Sequence, residues 1–112
     1  MFRFFSNVLT LLIVLVFSSA IWAGEAVWID VRSAEEFNTE HVAAAANIPY
    51  TEIGGRIGEV TGDKDALIYV YCRSGRRSGI AQSTLEGAGY TNVVNLGSLE
   101  DAQTKASQTA VQ

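Results

Sequence analysis

The sequence predicts a single α/β domain in which helices flank a mostly parallel central sheet. Short runs rich in β-branched and aromatic residues alternate with helix-like segments, and the connections between them are short. The run that precedes the only cysteine leads through a glycine-containing loop into a segment with helical periodicity. Because ligands of parallel sheets bind beyond the carboxyl ends of the strands, this cysteine lies where a site is expected.

The first strand is predicted over residues 26–31, which combine valine, tryptophan and isoleucine. A helix should follow it, because Ser33 fits the N-cap position and Glu36 completes a capping box before Phe37. This opening therefore reads as strand, turn and helix.

The next apolar run covers residues 43–48 and stops at Pro49. Thr51 is predicted to cap a short helix whose inward side chains are Ile53, Ile57 and Val60. A polar turn over residues 62–65 then leads to the central part of the sheet.

The central strand is predicted over residues 67–71, and the helix after the cysteine loop over residues 77–88. Gly89 fits the residue just past the end of that helix, and residues 93–96 read as the last strand. One face of the helix should carry its inward residues, Ile80, Ala81, Thr84, Leu85 and Ala88.

Both ends of the chain are predicted to lie outside this domain. Residues 1–23 have the layout of a secretory signal peptide, with Arg3, an apolar core and small residues that place cleavage between about 20 and 24. The alternative is an uncleaved membrane anchor. Cleavage implies a periplasmic protein with a domain over residues 24–101. Residues 102–112 show no apolar face and are expected to form a polar, disordered tail.

Composition excludes several classes of function. The formal net charge is −4, which argues against nucleic acid as a partner. With one cysteine the chain forms no internal disulfide and performs no dithiol chemistry, and with one histidine a zinc site is not expected. No glycine-rich nucleotide loop occurs, so no cofactor is expected, and no membrane contact is expected after cleavage. The pattern leaves the oligomeric state open.

The loop that holds the cysteine predicts a sulfur nucleophile that meets an anion. Backbone N–H groups and a helix N-terminus converge there and stabilise negative charge, which lowers the pKa of a thiol. Guanidinium groups close to the sulfur suit an oxyanion. The candidate site is Cys72 as catalytic nucleophile, with the loop residues Arg73, Ser74, Gly75, Arg76 and Arg77 around it.

Four ordered blocks of residues resemble the rhodanese (sulfurtransferase) family over about residues 26–101. They are the strand ending in Asp30-Val31-Arg32, the segment from Glu36-Phe37 through His41-Val42 to Asn47-Ile48-Pro49, the active loop Cys72-x-x-Gly75-x-Arg77-Ser78, and the closing Leu96-Gly97. The Cys-Arg-x-Gly form of the loop is similar to that of the thiosulfate-using members. Glu40, Ala44 and Ser98 stand where the family usually has glycines.

The resemblance implies a rhodanese-like domain that transfers sulfane sulfur from thiosulfate to cyanide or a small thiol through a Cys72 persulfide. In this reading Arg73 and Arg76 attract the anionic donor. Arg77 is either catalytic or structural, bonding loop carbonyls or an acid such as Asp30. Ser74 and Ser78 are candidate donors to the persulfide, with a helix cap as the alternative role of Ser78. Asp30 and Arg32 are expected at the border of the pocket or in a structural ion pair. The resemblance assigns His41 a packing and hydrogen-bonding role.

Two other functions compete with this one. A dual-specificity phosphatase or arsenate reductase uses a related loop, but the six residues from Cys72 to Arg77 fit a sulfur substrate, whereas the phosphatase relatives have seven. A non-catalytic rhodanese-like binding module is the other alternative, or a redox sensor in which Cys72 is oxidised. Retention of the cysteine and of the surrounding glycine and arginines favours catalysis.

Overall fold

A computed structural model of the chain describes residues 25–110, in which four parallel strands form one sheet. The strands lie in the order β2-β1-β3-β4, so β1 and β3 are central. The α/β class with a parallel sheet, predicted from the sequence, is confirmed. The strand bounds are β1 Val27–Asp30, β2 Ala46–Asn47, β3 Ile68–Cys72 and β4 Val93–Ser98.

Helices cover both faces of the sheet. Their bounds are α1 Ala34–Thr39, α2 Ile53–Arg56, α3 Arg76–Gly87 and α4 Leu99–Ala110, and a 3-10 turn over Ile57–Glu59 follows α2. Because side chains alternate along a strand, Ile29 and Val70 pack on one face with the core residues of α2 and α3. Trp28 and Tyr71 lie in the second core cluster, which contains Ala102 of α4.

Strand β3 occupies the centre of the domain, and all five of its residues are buried. It pairs with β1 in unbroken register from Val27 opposite Ile68 to Asp30 opposite Tyr71. Its pairing with β4 shifts near its end, where Tyr71 lies opposite Gly97 rather than Leu96. The extra residue is a β-bulge in β4, and it lies beside the end of the strand that carries the cysteine.

Most local signals in the sequence were correct. The capping box of Ser33 and Glu36 is present at the start of α1, and Gly89 has a φ of +100° just beyond α3. Two interpretations were wrong. The N-cap of α2 is Glu52 without a side-chain cap, not Thr51. Of the residues predicted to face inward from α3, three are exposed, Ile80, Thr84 and Ala88, because the helix packs on the sheet through a narrow strip formed by Ser78, Ala81 and Leu85.

Glycine is not required where the chain departs from the usual rhodanese glycines. Glu40 has a φ of −163°, which is extended backbone that any residue adopts. Among residues 25–110 no residue other than glycine has a positive φ, and this includes Ala44 and Ser98. The departures therefore impose no backbone strain.

The predicted disordered tail is wrong for residues 102–110, which belong to α4. Ser98 starts this helix, because its hydroxyl accepts from the Asp101 N–H at 3.1 Å and donates to the Asp101 carboxylate at 3.0 Å. Ala102 is completely buried against the sheet. The apolar face was missed because it is formed by one leucine and small alanines, Leu99, Ala102 and Ala106.

The predicted signal peptide, residues 1–23, lies outside the described residues, as does the end of the predicted tail. Within residues 25–110, the helices are too short or too polar to cross a membrane.

The burial of α4 makes a stability prediction. We expect Ala102→Asp to lower the free energy of unfolding by about 2–4 kcal/mol, because a carboxylate would be buried there without a partner. Gln108→Asp, on the exposed side of the same helix, is the matched control and should change stability by less than about 0.5 kcal/mol. Urea denaturation of the three proteins makes the comparison, and equal stabilities would contradict the packing of α4.

Candidate active site

Cys72 is the last residue of β3 and is 1% exposed. The chain leaves the strand through Arg73 and Ser74 and reverses at Gly75, whose φ of +97° is left-handed. Because side-chain-bearing residues are strained in this conformation, glycine is needed at the turn. Helix α3 begins at the next residue, so its N-terminus lies over the cysteine.

Hydrogen-bond donors converge on the Cys72 sulfur. The Gly75 N–H lies 3.0 Å from Sγ, and the Ser78 hydroxyl lies 3.3 Å from it. Burial alone raises the pKa of the thiol, but the Ser78 hydroxyl and the backbone N–H groups of Ser78, Ser74 and Gly75 outweigh burial and lower the pKa to about 7. Near neutral pH a large fraction of the sulfur is therefore thiolate, the nucleophilic form.

Ser78 contacts the sulfur rather than capping the helix. Gly75 is the N-cap residue of α3, and no side chain caps it. The Ser78 side chain is completely buried and also lies 2.6 Å from the Asn95 amide oxygen. Of the two sequence-based alternatives for Ser78, the helix cap is wrong, and the hydroxyl lies within donating distance of Cys72 Sγ itself.

Asn95 of β4 connects the loop to the neighbouring strand, and sequence reasoning missed it. Its Nδ2 donates to the Gly75 carbonyl at 3.0 Å, and its Oδ1 accepts from the Gly97 N–H at 2.9 Å and from Ser78. The signal that marked it was a polar residue within the apolar run of the last strand. The bulge after Asn95 brings the Gly97 N–H to its side-chain oxygen.

Arg77 is paired with Glu36 of α1, not with Asp30. Its two terminal nitrogens lie 2.8 and 3.0 Å from the two carboxylate oxygens, which is a bidentate ion pair. The Arg77 guanidinium lowers the pKa of Glu36 to about 2. The Glu36 carboxylate and, to a smaller extent, the Cys72 sulfur raise the pKa of Arg77. Glu36 was predicted only as a capping residue, so its second role was missed.

Asp30 and Arg32 form a buried ion pair with an N–O distance of 2.7 Å. The Arg32 guanidinium also donates to the Glu40 carbonyl at 2.6 Å, which ties the end of β1 to the segment after α1. Of the two residues expected at the pocket border, Arg32 lines the groove beside the loop, whereas Asp30 is completely buried and does not. Of the two roles expected for Asp30, the geometry therefore shows the structural ion pair and not the pocket border.

The groove beside the loop has a volume of about 480 Å³ and mixed charge. Arg73 is exposed and lines it, while Ser74 and Arg76 are exposed elsewhere around the loop. Its lining residues come from the ends of β1 and β4, from α1 and the residue after it, from the cysteine loop and from the start of α4, and are Arg32, Glu36, Thr39, Glu40, Arg73, Ser98, Leu99 and Glu100.

His41 packs away from the sulfur chemistry. Its ring stacks on Phe37 with a centroid distance of 3.6 Å, and its Nδ1 lies 2.7 Å from the Phe37 carbonyl oxygen. The packing and hydrogen-bonding role implied by the family resemblance agrees with this geometry.

A parallel four-stranded sheet with a cysteine cradled by the following helix is the architecture of the rhodanese family, and the chain belongs to it. The profile of the rhodanese-like domain matches residues 16–105. The chain is 46% identical over 91 residues to thiosulfate sulfurtransferase PspE of Escherichia coli (strain K12), which is 81% of this chain and 86% of that protein.

A second curated relative is matched over less of its length, whereas a solved structure is matched over most of its own. The thiosulfate:glutathione sulfurtransferase of Saccharomyces cerevisiae is 32% identical over 77 residues, which are 59% of this chain and 55% of that protein. Among solved structures, a rhodanese with anions from E. coli superposes with a TM-score of 0.67 at 45% identity and covers 69% of this chain and 91% of its own.

The donors around the sulfur predict its reactivity. We expect the rate of alkylation of Cys72 by iodoacetamide to rise with pH around a midpoint of about 7, because the thiolate reacts and the donors lower its pKa. Ser78→Ala removes one donor and should move the midpoint to higher pH. Ser83→Ala, at an exposed position on the same helix, is the control and should leave it unchanged. A midpoint at the ordinary thiol value in the unaltered protein would contradict this geometry.

Proposed function

We propose that the chain is a sulfurtransferase that moves sulfane sulfur from thiosulfate to cyanide or a small thiol through a persulfide on Cys72. The observation that carries the proposal is the set of donors that converge on a buried sulfur and lower its pKa to about 7. Similarity to thiosulfate sulfurtransferase PspE over most of both chains supports thiosulfate as the donor.

The reaction is a double displacement. The Cys72 thiolate attacks the outer sulfur of thiosulfate, so the new Sγ–S bond forms while the S–S bond of thiosulfate breaks and its electron pair leaves with sulfite. The acceptor then attacks the outer sulfur of the persulfide, and the electron pair of the Sγ–S bond returns to Cys72. Both leaving groups, sulfite in the first step and the Cys72 thiolate in the second, are stable anions, so a proton donor is not required.

The chain's own groups assist these steps by binding charge. The donors of the loop stabilise negative charge on the sulfur without reorganising during the reaction. Arg73 and Arg76 are exposed near the loop and would attract the dianionic donor to an acidic protein. Because Arg77 is neutralised by Glu36, we assign it to holding α1 against the loop.

The arginines of the loop weigh against the alternative of a redox sensor. A thiol that only senses oxidants needs no groups that attract an anion, whereas Arg73 and Arg76 are exposed near the loop. A binding module would need neither the donors on the sulfur nor the left-handed Gly75 turn that supplies one of them. The phosphatase alternative is tested by whether the protein takes up sulfur from thiosulfate or hydrolyses a phosphate ester.

Thiosulfate treatment tests the function directly. The purified protein should gain one sulfur atom in its intact mass, lose it on addition of cyanide and produce thiocyanate. Cys72→Ala should lose both signals completely, with its fold checked by circular dichroism. A wild-type protein that takes up no sulfur, or that hydrolyses a phosphate ester instead, would overturn the proposal.

The role of Arg73 is tested by its effect on the donor. We expect Arg73→Ala to raise the KM for thiosulfate about three- to tenfold and to weaken the dependence of kcat/KM on salt, because one attracting charge is lost. Arg56→Ala is the control, since Arg56 is already paired with Glu52 and Glu59. An unchanged salt response would remove Arg73 from this role.

We also propose that the protein is exported to the periplasm and that residues 1–23 are removed there. The support is the sequence pattern alone: Arg3, an apolar core and a small-residue end. Recovery of the chain from a periplasmic extract with Met1 still attached would contradict cleavage.

A further inference from the structure

The Ser78 hydroxyl lies between two acceptors, although it has only one proton to donate. Its oxygen is 2.6 Å from Asn95 Oδ1 and 3.3 Å from Cys72 Sγ. The side chain is completely buried, so water does not offer a third partner. The two hydrogen bonds therefore exclude one another at any instant.

The orientation of the Asn95 amide follows from its other neighbours. The Gly97 N–H at 2.9 Å requires an acceptor, and the Gly75 carbonyl at 3.0 Å requires a donor. Turning the amide over would place its NH₂ group against an N–H and its oxygen against a carbonyl. Oδ1 thus faces Ser78 and can only accept from it.

We propose that Asn95 is a positioning residue that shares the Ser78 proton with the Cys72 sulfur. When Sγ carries no charge, the hydroxyl donates to Asn95. When Sγ is a thiolate, the hydroxyl turns and donates to the sulfur, because a charged acceptor forms the stronger hydrogen bond. For the persulfide stage, this inference rests on the proposed function. For the titration of the thiol, it does not depend on the proposed function.

The exchange matters because the charge on Sγ changes during sulfur transfer. In the free enzyme Sγ is the thiolate. After the outer sulfur of thiosulfate is bound and sulfite leaves, Sγ is bonded to sulfur and uncharged, and the negative charge lies on the outer atom. Asn95 then provides a stronger acceptor for the buried hydroxyl than the uncharged Sγ does. It should therefore stabilise the persulfide relative to the thiolate.

Other charges near the sulfur remain constant during the exchange. One charged group near Cys72 is the Arg77 guanidinium, whose pKa the sulfur raises and which Glu36 of α1 holds by two hydrogen bonds. The Gly75 N–H donates to the sulfur from the loop and is not shared with Asn95. A change in the hydrogen-bond partner of Ser78 can therefore be measured while the Arg77 charge and the Gly75 hydrogen bond stay the same.

The first test uses the protein without any change at Asn95. We expect the carbon-13 resonance of its side-chain carbonyl to move upfield as Cys72 is deprotonated, because the carbonyl loses the Ser78 hydrogen bond. Ser78→Ala should remove this pH response. A resonance that does not follow the thiol titration, or that follows it equally in Ser78→Ala, would overturn the proposal.

The second test measures the equilibrium between thiolate plus thiosulfate and persulfide plus sulfite, at about two pH units above the Cys72 pKa so that thiolate dominates. We expect Asn95→Leu to lower the equilibrium constant for persulfide formation about tenfold, which corresponds to one lost hydrogen bond. In the Ser78→Ala background the same substitution should have little effect, because no proton remains to be shared.

Gln82→Leu is the matched control, since Gln82 also joins α3 to β4, through a hydrogen bond to the Val93 carbonyl at 3.0 Å. An equal effect of Asn95→Leu with and without Ser78, or no effect in either, would mean that Asn95 acts only on the Gly75 turn, and the proposal would be wrong. If the wild-type protein takes up no sulfur at all, the proposed function fails, while the carbon-13 titration still decides the role of Asn95.

Discussion

The buried sulfur at the end of β3 depends on donors that the turn into α3 presents to it. A thiolate in an apolar interior is unfavourable, and here the Gly75 N–H at 3.0 Å and the Ser78 hydroxyl at 3.3 Å offset its burial. Their positions follow from the left-handed φ of Gly75. A short loop with a fixed backbone therefore decides the protonation state of the Cys72 sulfur.

This loop does not hold its shape alone. The Asn95 amide of β4 binds the Gly75 carbonyl, and the Glu36 carboxylate of α1 binds Arg77 through both oxygens. Each of these partners is supported in turn, Asn95 by the Gly97 N–H and Glu36 by the capping box with Ser33. The positions of β4 and α1 therefore fix the shape of the loop around the sulfur, as expected of a site built on rigid elements.

The differences between prediction and structure have a common physical origin. The strands and α3 were predicted because large β-branched and aromatic residues and helical spacing are strong local signals. Helix α4 was missed because the face that it turns to the sheet consists of Leu99 and alanines, whose burial depends on packing against a cluster that includes Trp28 and Tyr69. A small side chain becomes core only when another element leaves room for it.

Sequence alone determined the fold class and the family, and it singled out the cysteine, because periodicity, the glycine–arginine loop and the single cysteine are properties of neighbouring residues. It did not determine which charges pair. Glu36 and Arg77 are 41 positions apart and Ser78 and Asn95 are 17 apart, so only the tertiary structure brings them together. It also placed Asp30 with Arg32 rather than Arg77. Hydrogen bonds require contact at about 3 Å, and that contact is set by how the strands and helices pack.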